Sequence, residues 1–380
     1  MIAGGLSPAE ARCEEAAPKA SETEAQKASE VAADKDSGVH LGLIAALKAE
    51  PRFLNGDSQN RDAIYAVRPE LSGHVLKPWL QYLAQVELAQ NPPYLIYAWV
   101  DISPWKALGF KVGQQDTPVS RHENYGLAKF LFPQADTVAN YFWGGRDKGV
   151  TVHGTADSDR LSYAAGVYGG SPLSQYSTIA GNYVLNGRLT VSPLGETRDA
   201  EYGYVLKDAP APFRPSFSVQ GYYGKVQSAT ENFDQDTFNA EVKASGMTTK
   251  RGAGGVDFGI QSAHVMFFAE GYGRHTTPPT GPSYTSLGAW GQAGLLLLPR
   301  RLDAAARLSW ANPSIDLSSD RLLMGEVQVA WYAQAPTMIV KLRYGYSYQQ
   351  SPGSAALGAV TLPATTGRLQ IITLQLNLSL

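Results

Sequence analysis

The chain has 380 residues, of which 17% are charged, and its formal net charge at pH 7 is -2. This balance argues against a nucleic-acid partner, which normally requires a basic surface and a pI above roughly 9. The single cysteine, Cys13, excludes an intramolecular disulfide, and no apolar run approaches the roughly 20 residues of a membrane-spanning helix.

The first part of the chain has no pattern of a packed element. The start, MIAGGLSPAEA, ends in an A-x-A-like AEA and is typical of the end of a signal peptide, although an ordinary flexible start gives the same composition. Residues 14–37 are rich in Ala, Glu and Lys and contain almost no large apolar residue. We expect 1–37 to be a residual signal-peptide end followed by a periplasmic tail that is helical or disordered.

From residue 38 to residue 380 the chain alternates apolar and polar residues with a period of two. Segments of about ten residues carry this alternation between clusters of Gly, Pro, Asn, Asp and Ser, which predicts strands joined by turns. One face of each strand is apolar and the other polar in WLQYLAQVEL, GNYVLNGRLTVS, RLDAAARLSW, TMIVKLRYGYSY and TLQLNLSL. We predict about sixteen strands of this kind.

A closed barrel explains this repetition better than a soluble sandwich does. A soluble all-β chain of this length normally divides into smaller domains, and no change of composition marks a division after Val39. We therefore predict an all-β, transmembrane antiparallel β-barrel, with apolar faces toward lipid and polar faces toward a wet lumen. Closure requires the last strand, within 367–380, to pair with the first, near 39–50. Aromatic residues near predicted strand ends fit the girdles of such barrels: Trp79, Trp290, Trp310, Trp331, Tyr344, Tyr346 and Tyr348.

The connection between the predicted fifth and sixth strands, about 116–145, is the main functional signal. A connection of this length is usually functional. It can fold into the lumen of a wide barrel and narrow it, or it can lie on the outer surface. Basic residues in it and just after it are the candidate anion-binding residues of a constriction: Arg121, His122, Lys129, Arg146 and Lys148. Arg can bind an oxyanion through two hydrogen bonds, and Lys attracts it as a point charge.

Alternation also predicts which basic side chains of the strands face the lumen. These candidate pore-lining residues are Arg188, Arg214, Arg307, Lys341 and Arg343. Acidic residues oppose them, namely Glu87, Glu241, Glu270, Asp303 and Glu326. Water and salt weaken the electrostatic interactions of these charges in a wide pore, so we expect selectivity to come from the constriction.

Four stretches in chain order carry a family resemblance: GFKVGQQDTPVSRHENYGLAKFLF, RDKGVTVHG, LSYAAGVYGG and GAWGQAGLLLLPRRLDAAARLSWANP. With VRPELSGHVLKPWLQY, they make the chain from about Val39 to its end resemble the phosphate-selective porin O and P family. The resemblance implies a trimeric outer-membrane porin of about sixteen strands, with an in-folded third loop and a basic lumen that passes anions. It also implies that residues 14–37 correspond to the family's N-terminal helical segment.

The chain departs from that family in two places. The family usually has several arginines on its second strand, whereas this chain has Arg68 followed by Pro69 and Glu70. The last residue is Leu380, where a terminal aromatic residue is usual for outer-membrane barrels. The small number of basic residues in the predicted constriction leaves specific phosphate recognition open.

We predict an outer-membrane porin that passes small anions by diffusion through a water-filled barrel, with phosphate or polyphosphate as candidate solutes. A general, weakly selective diffusion porin is the alternative. The expected partners are outer-membrane lipid, small anions and further copies of the chain in a homotrimer. A barrel hydrolase or a soluble β protein is disfavoured; the six histidines are scattered, away from nucleophile constellations and metal-ligand spacings, so we expect no enzyme activity, cofactor or metal.

Overall fold

The structure is a computed structural model. It describes residues 38–122, 125–171, 181–195, 201–205, 212–229, 231–232, 244–317, 320–334, 337–350, 356–357, 360–361 and 366–380. The predicted tail over 1–37, with Cys13, and the predicted pore residue Glu241 lie outside the described residues.

Sixteen antiparallel strands of the described chain form a closed barrel, in which each strand pairs with its neighbours in chain order. They are β1 Val39–Leu54, β2 Asp57–His74, β3 Leu80–Glu87, β4 Tyr94–Trp105, β5 Leu108–Asp116, β6 Arg146–Ala156, β7 Leu161–Tyr168, β8 Val184–Val191, β9 Arg214–Ala229, β10 Ala244–Gln261, β11 Val265–Thr277, β12 Tyr284–Leu298, β13 Leu302–Asn312, β14 Leu322–Gln334, β15 Met338–Gln349 and β16 Gly367–Ser379. The prediction of an all-β antiparallel barrel with about sixteen strands is confirmed.

The last strand closes the barrel against the first. Ala46 of β1 lies opposite Asn377 of β16 in an antiparallel register. Beyond the strand end, Leu43 N–H donates to the Leu380 carbonyl at 3.0 Å, and Leu380 N–H donates to the Leu43 carbonyl at 2.9 Å. The predicted pairing of the two terminal strands is therefore confirmed, and it satisfies the backbone groups that an open sheet would leave unpaired.

The two faces of the sheet differ as the alternation predicts. In β16, Leu374 is 51% exposed on the outside, whereas Thr373 and Gln375 are fully buried inside. In β13, Leu308 is 68% exposed and Arg307 is buried. An apolar exterior with a polar interior is the arrangement of a barrel in lipid, because hydrocarbon can solvate only the apolar face.

The connections divide between two ends of the barrel. Because consecutive strands are antiparallel, connections after odd-numbered strands lie at one end and those after even-numbered strands at the other. The even-numbered strands are followed mostly by short turns such as 106–107 and 299–301, so we call this the short-turn end and the other the long-loop end. The connection after β8, residues 192–213, is far longer than the other turns at the short-turn end.

The described connections contain little regular structure. They include one short α-helix, α1 (Thr137–Phe142), and the 3-10 segments Leu127–Lys129 and Glu201–Tyr204. A separate small sheet is formed by Glu231–Asn232, Ala356–Leu357 and Val360–Thr361. Within the described part of the chain, no helix has the length and apolar character needed to cross a membrane.

Candidate pore constriction

The connection 117–145 is called the inner loop below, and its described residues lie against the polar inner face of the barrel. Side chains of β14, β15 and β16 donate hydrogen bonds to successive loop carbonyls: Gln328 to Leu131 (2.7 Å), Lys341 to Phe130 (2.7 Å) and Phe132 (3.2 Å), and Gln375 to Pro133 (3.0 Å). Buried carbonyl groups need such donors, so the polar residues on the inner strand faces hold the loop to one side of the lumen.

The helix of the inner loop is fixed by its N-terminal cap. Asp136 accepts a hydrogen bond from Val138 N–H at 2.8 Å, as an N-cap residue does. Its other carboxylate oxygen accepts from the Ser309 hydroxyl and lies 3.4 Å from Arg307 Nε on the wall. Gly288 of β12 makes room for α1, because a Cβ there would come within 2.7 Å of Val138 Cγ1.

Arg121 lies in the inner loop, but its side chain contacts the wall. Its guanidinium is 3.0 Å from Asp257 of β10 and donates to the Ser216 hydroxyl of β9 at 2.6 Å. Arg121 N–H donates to Glu270 at 2.7 Å. Only 10% of the Arg121 side chain is exposed, so its guanidinium is bound within the wall.

His122 is fully buried between aromatic rings. Its ring stacks on Phe130 at 4.8 Å and lies 4.7 Å from the Trp290 ring. Nε2 accepts a hydrogen bond from Asp136 N–H at 2.8 Å, which leaves Nδ1 to carry the proton that it donates to Glu201 at 2.5 Å. The assignment of Trp290 to an aromatic girdle is wrong, because Trp290 is only 4% exposed and lies on the inner face of β12.

A second segment enters the lumen from the short-turn end. We call residues 201–205, part of the connection after β8, the inner turn; all five are buried. The Tyr202 hydroxyl donates to the Ala128 carbonyl of the inner loop at 2.8 Å. The Tyr204 hydroxyl donates to Asp303 on the wall at 2.9 Å. The inner turn therefore packs between the inner loop and the wall.

The surroundings of Glu201 favour the ionised form of its carboxyl group. Burial acts to raise its pKa, but the nearby His122 imidazole and the hydrogen bonds from His122 and Leu131 N–H outweigh burial and lower the pKa. These donors stabilise the charged form of the carboxyl group.

Acidic and basic side chains alternate along the inner face of the barrel wall beneath the inner loop. Glu326 is 2.8 Å from Arg343 and also pairs with Arg307. Arg343 reaches Glu50 of β1 at 3.2 Å, and Lys48 lies 3.0 Å from the same carboxylate. Each of these charged side chains therefore has an oppositely charged partner within the wall.

The structure places the predicted pore-lining residues on the inner face in different settings. Arg307, Lys341 and Arg343 are buried beside the inner loop. Arg188 lies 2.6 Å from Asp257, its ion-pair partner. Arg214 is half-buried at the start of β9. Of the predicted opposing acids, those described are buried: Glu87, Glu270, Asp303 and Glu326.

A cavity of about 540 Å³ separates the tip of the inner loop from the wall of β1 to β7. The loop side is formed by Pro118 and residues 125–129. The wall side includes Arg68, Glu70, Gln85, Tyr97, Trp99, Lys111, Gln115, Asp116, Thr151 and His153. Because the inner loop is held against β13 to β16, the open space beside the loop lies on the side of β1 to β7.

Basic side chains reach this cavity from both sides. Lys129 comes from the inner loop. Lys111 Nζ lies 3.8 Å from Asp101, and Arg68 Nε lies 2.7 Å from Glu87. The arrangement places cationic groups around the cavity beside the inner loop.

The remaining two candidate residues lie at the start of β6. Arg146 Nε is 2.9 Å from Asp116, and its guanidinium lies 4.9 Å from the Trp143 ring centroid. Lys148 is half-buried. It lies two residues before Val150 on β6 and therefore on the same face of the strand, and Val150 is 44% exposed. Neither Lys148 nor Arg146 is a cavity residue, although Asp116, the ion-pair partner of Arg146, lines the cavity.

Arg68, Lys111 and Glu201 belong to this region but are not among the candidates that the sequence indicated. Lys111 alternates with the outward-facing Phe110 and Val112, so the period of two was a sufficient signal for it. Glu201 stands in the sequence EYGY, which has no period that indicates an inward position. Among the described residues, no group of three or more His, Cys, Asp or Glu side chains could hold a metal ion.

Comparison with solved structures gives the class of this barrel. The anion-selective porin from Comamonas acidovorans is 10% identical with a TM-score of 0.61, covering 90% of this chain and 100% of that one. OprB of Pseudomonas putida is 11% identical with a TM-score of 0.58, covering 94% and 97%. The trimer form of OmpT, an outer membrane protein of Vibrio cholerae, is 12% identical with a TM-score of 0.57, covering 89% and 99%.

No protein-family model and no curated protein matches the sequence. The likeness therefore establishes the fold: the chain has the barrel of bacterial outer-membrane porins. The predicted transmembrane barrel of the outer membrane agrees with this fold.

Proposed function

We propose that the protein is an outer-membrane porin through which small hydrophilic solutes diffuse, with a preference for anions. The observation that carries this proposal is that Lys129 of the inner loop enters the same cavity as Lys111 and Arg68 of the wall. A solute that passes the inner loop must cross this cavity, so its charge interacts with these three groups.

The preference is modest on this account. The charges act across water, and at physiological ionic strength the screening length is about 8 Å. Glu70 and Asp116 border the same cavity and reduce its positive potential. This mixture of charges favours a weakly selective porin as the second candidate. A ring of basic side chains still attracts anions and raises their local concentration.

Phosphate or polyphosphate passes, on this proposal, as one small anion among others. Tight oxyanion binding in proteins commonly uses an Arg that is available for two parallel hydrogen bonds. Arg121 is bound to Asp257 and Ser216 instead. Arg68 and Lys111 are also ion-paired, to Glu87 and Asp101. We therefore assign anion selectivity chiefly to Lys129, and we assign Arg121 and His122 to holding the inner loop.

Partners are inferred from the same fold. One structural neighbour is described as an anion-selective porin and another as a trimer form, which supports a channel that assembles as a homotrimer in outer-membrane lipid. The porin descriptions also favour transport over an enzymatic activity.

The test is the reversal potential of the refolded protein in a planar bilayer under a KCl gradient. Stepwise currents with a reversal potential of anion sign are expected, and replacing chloride by phosphate should leave a phosphate current. A reversal potential at zero would leave the general porin, and the absence of current steps would contradict channel function.

A further inference from the structure

We propose that Glu201 of the inner turn is a positioning residue that fixes where Lys129 stands in the channel. This inference rests on the proposed function, because it concerns the residue to which that function assigns selectivity. The inner turn and the inner loop reach each other from opposite ends of the barrel.

A single carboxylate joins both arms of the inner loop. Glu201 Oε1 accepts from His122 Nδ1 at 2.5 Å, and Oε2 accepts from Leu131 N–H at 2.7 Å. The loop tip that enters the cavity, residues 125–129, lies between these two attachment points. Glu201 thus closes the base of the tip, and the position of Lys129 depends on it.

A neighbouring residue of the inner turn holds the tip itself. The Tyr202 hydroxyl donates to the carbonyl of Ala128, the residue before Lys129. Glu201 and Tyr202 are adjacent in sequence, so displacing Glu201 also moves the donor that binds Ala128. The inner turn therefore holds the residues on either side of the tip, His122 and Leu131, and also Ala128 within it.

The Glu201 carboxylate is difficult to replace. It is fully buried, and its two oxygens satisfy two buried donors. Removing it leaves His122 Nδ1–H and Leu131 N–H without their acceptor, and buried donors without acceptors are unfavourable. The least expensive response is movement of the loop, because the wall beneath it is held by its own ion pairs.

A double-mutant cycle between Glu201 and Lys129 tests this role. The substitutions Lys129→Ala and Glu201→Ala are made singly and together, and the reversal potential is measured in planar bilayers for all four proteins. We expect Lys129→Ala to shift the reversal potential in the wild-type background and to have at most half that effect in the Glu201→Ala background. Tyr204→Phe is the matched control, since Tyr204 lies in the same inner turn but bonds to Asp303 of the wall.

The outcomes separate the two proposals. Equal Lys129→Ala effects in both backgrounds would contradict the positioning role while leaving the porin in place. If the wild type forms no channel, the proposed function itself fails. If Glu201→Ala does not fold into a heat-resistant barrel, Glu201→Gln replaces it. The Gln oxygen can accept only one of the two donors firmly, so the shift caused by Lys129→Ala should be intermediate in this background. A shift as large as in the wild-type background would overturn the inference.

Discussion

Glu201 Oε1 lies 2.5 Å from His122 Nδ1, although the chain brings these residues together from opposite ends of the barrel. One follows β8 at the short-turn end and the other follows β5 at the long-loop end. Two inserted segments that bind each other therefore occupy part of the lumen. The described open space beside them lies on the side of β1 to β7, where the cavity is.

Reversing the charge of Lys129 should reverse the selectivity of the channel. Lys129→Glu replaces a cation of the cavity by an anion, so the reversal potential should move toward the cation side, and the shift should shrink at about 1 M salt because of screening. The measurement is the reversal potential in planar bilayers at low and high salt. Lys106→Glu is the control, because Lys106 is 83% exposed in a turn; an equal shift in the control would place selectivity at the channel mouth.

Enlarging Gly294 should disturb the packing of both inserted segments. A Cβ at Gly294 of β12 would collide with the Tyr204 hydroxyl and come within 3.2 Å of Leu131 Cδ2. Gly294→Val should therefore lower the free energy of unfolding by about 2 kcal/mol, as overpacking does. Urea unfolding of the refolded barrel measures this change.

The control for that experiment is on the same strand. A Cβ at Gly291 would meet its nearest atom, the Phe268 carbonyl oxygen, at an ordinary 3.5 Å. Gly291→Val should have a much smaller effect, and similar losses for both variants would show that the strand, and not the inserted segments, responds.

Removing Arg343 should destabilise the barrel near the pairing of its first and last strands. Arg343 is fully buried between Glu326 and Glu50, on either side of β16 in the sheet. Arg343→Met leaves both carboxylates with fewer partners and should cost about 3 kcal/mol of unfolding free energy. Arg160→Met, at an ion pair that is 56% exposed on the arginine side, should change it by less than about 1 kcal/mol. Equal effects in the two variants would contradict a structural role for the buried network.

The pH dependence of stability should contain a contribution from Asp320, in the connection after β13. Burial raises the pKa of Asp320 to about 6, while its carboxylate accepts from Ser314 N–H at 2.6 Å. An acid with a raised pKa in the folded state holds its proton longer than in the unfolded chain, so its stabilisation is full below about pH 4 and is lost as pH rises through 6. The wild type should therefore gain stability relative to Asp320→Asn when pH falls from about 7 to 4. Unfolding midpoints of the wild type and Asp320→Asn that change equally with pH over this range would contradict the prediction.

The barrel could be predicted from the sequence because the alternation of apolar and polar residues within each strand indicates the environment of its two faces. The alternation of Leu374 with Thr373 and Gln375 assigns faces without any knowledge of the neighbouring strands. Closure then follows, because strands in lipid can leave no open edge. The strand count and the pairing of the terminal strands came from this local signal.

The partner of each charged side chain could not be predicted in the same way. Arg121 meets Asp257, and Glu201 meets His122, across large separations in sequence and through segments without periodicity. These pairings depend on strand register and on which connection enters the lumen. Neither property is encoded by the residue types of the loop itself.

Thiol modification during single-channel recording tests the central claim most directly. With Cys13→Ser as background, Lys129→Cys is placed in the proposed path and Thr373→Cys in the fully buried wall beneath the inner loop. A negatively charged methanethiosulfonate reagent should lower the current and the anion preference of the Lys129→Cys channel in one step and leave the Thr373→Cys channel unchanged. Current loss at Thr373→Cys with none at Lys129→Cys would place the ion path on the other side of the inner loop and contradict the account.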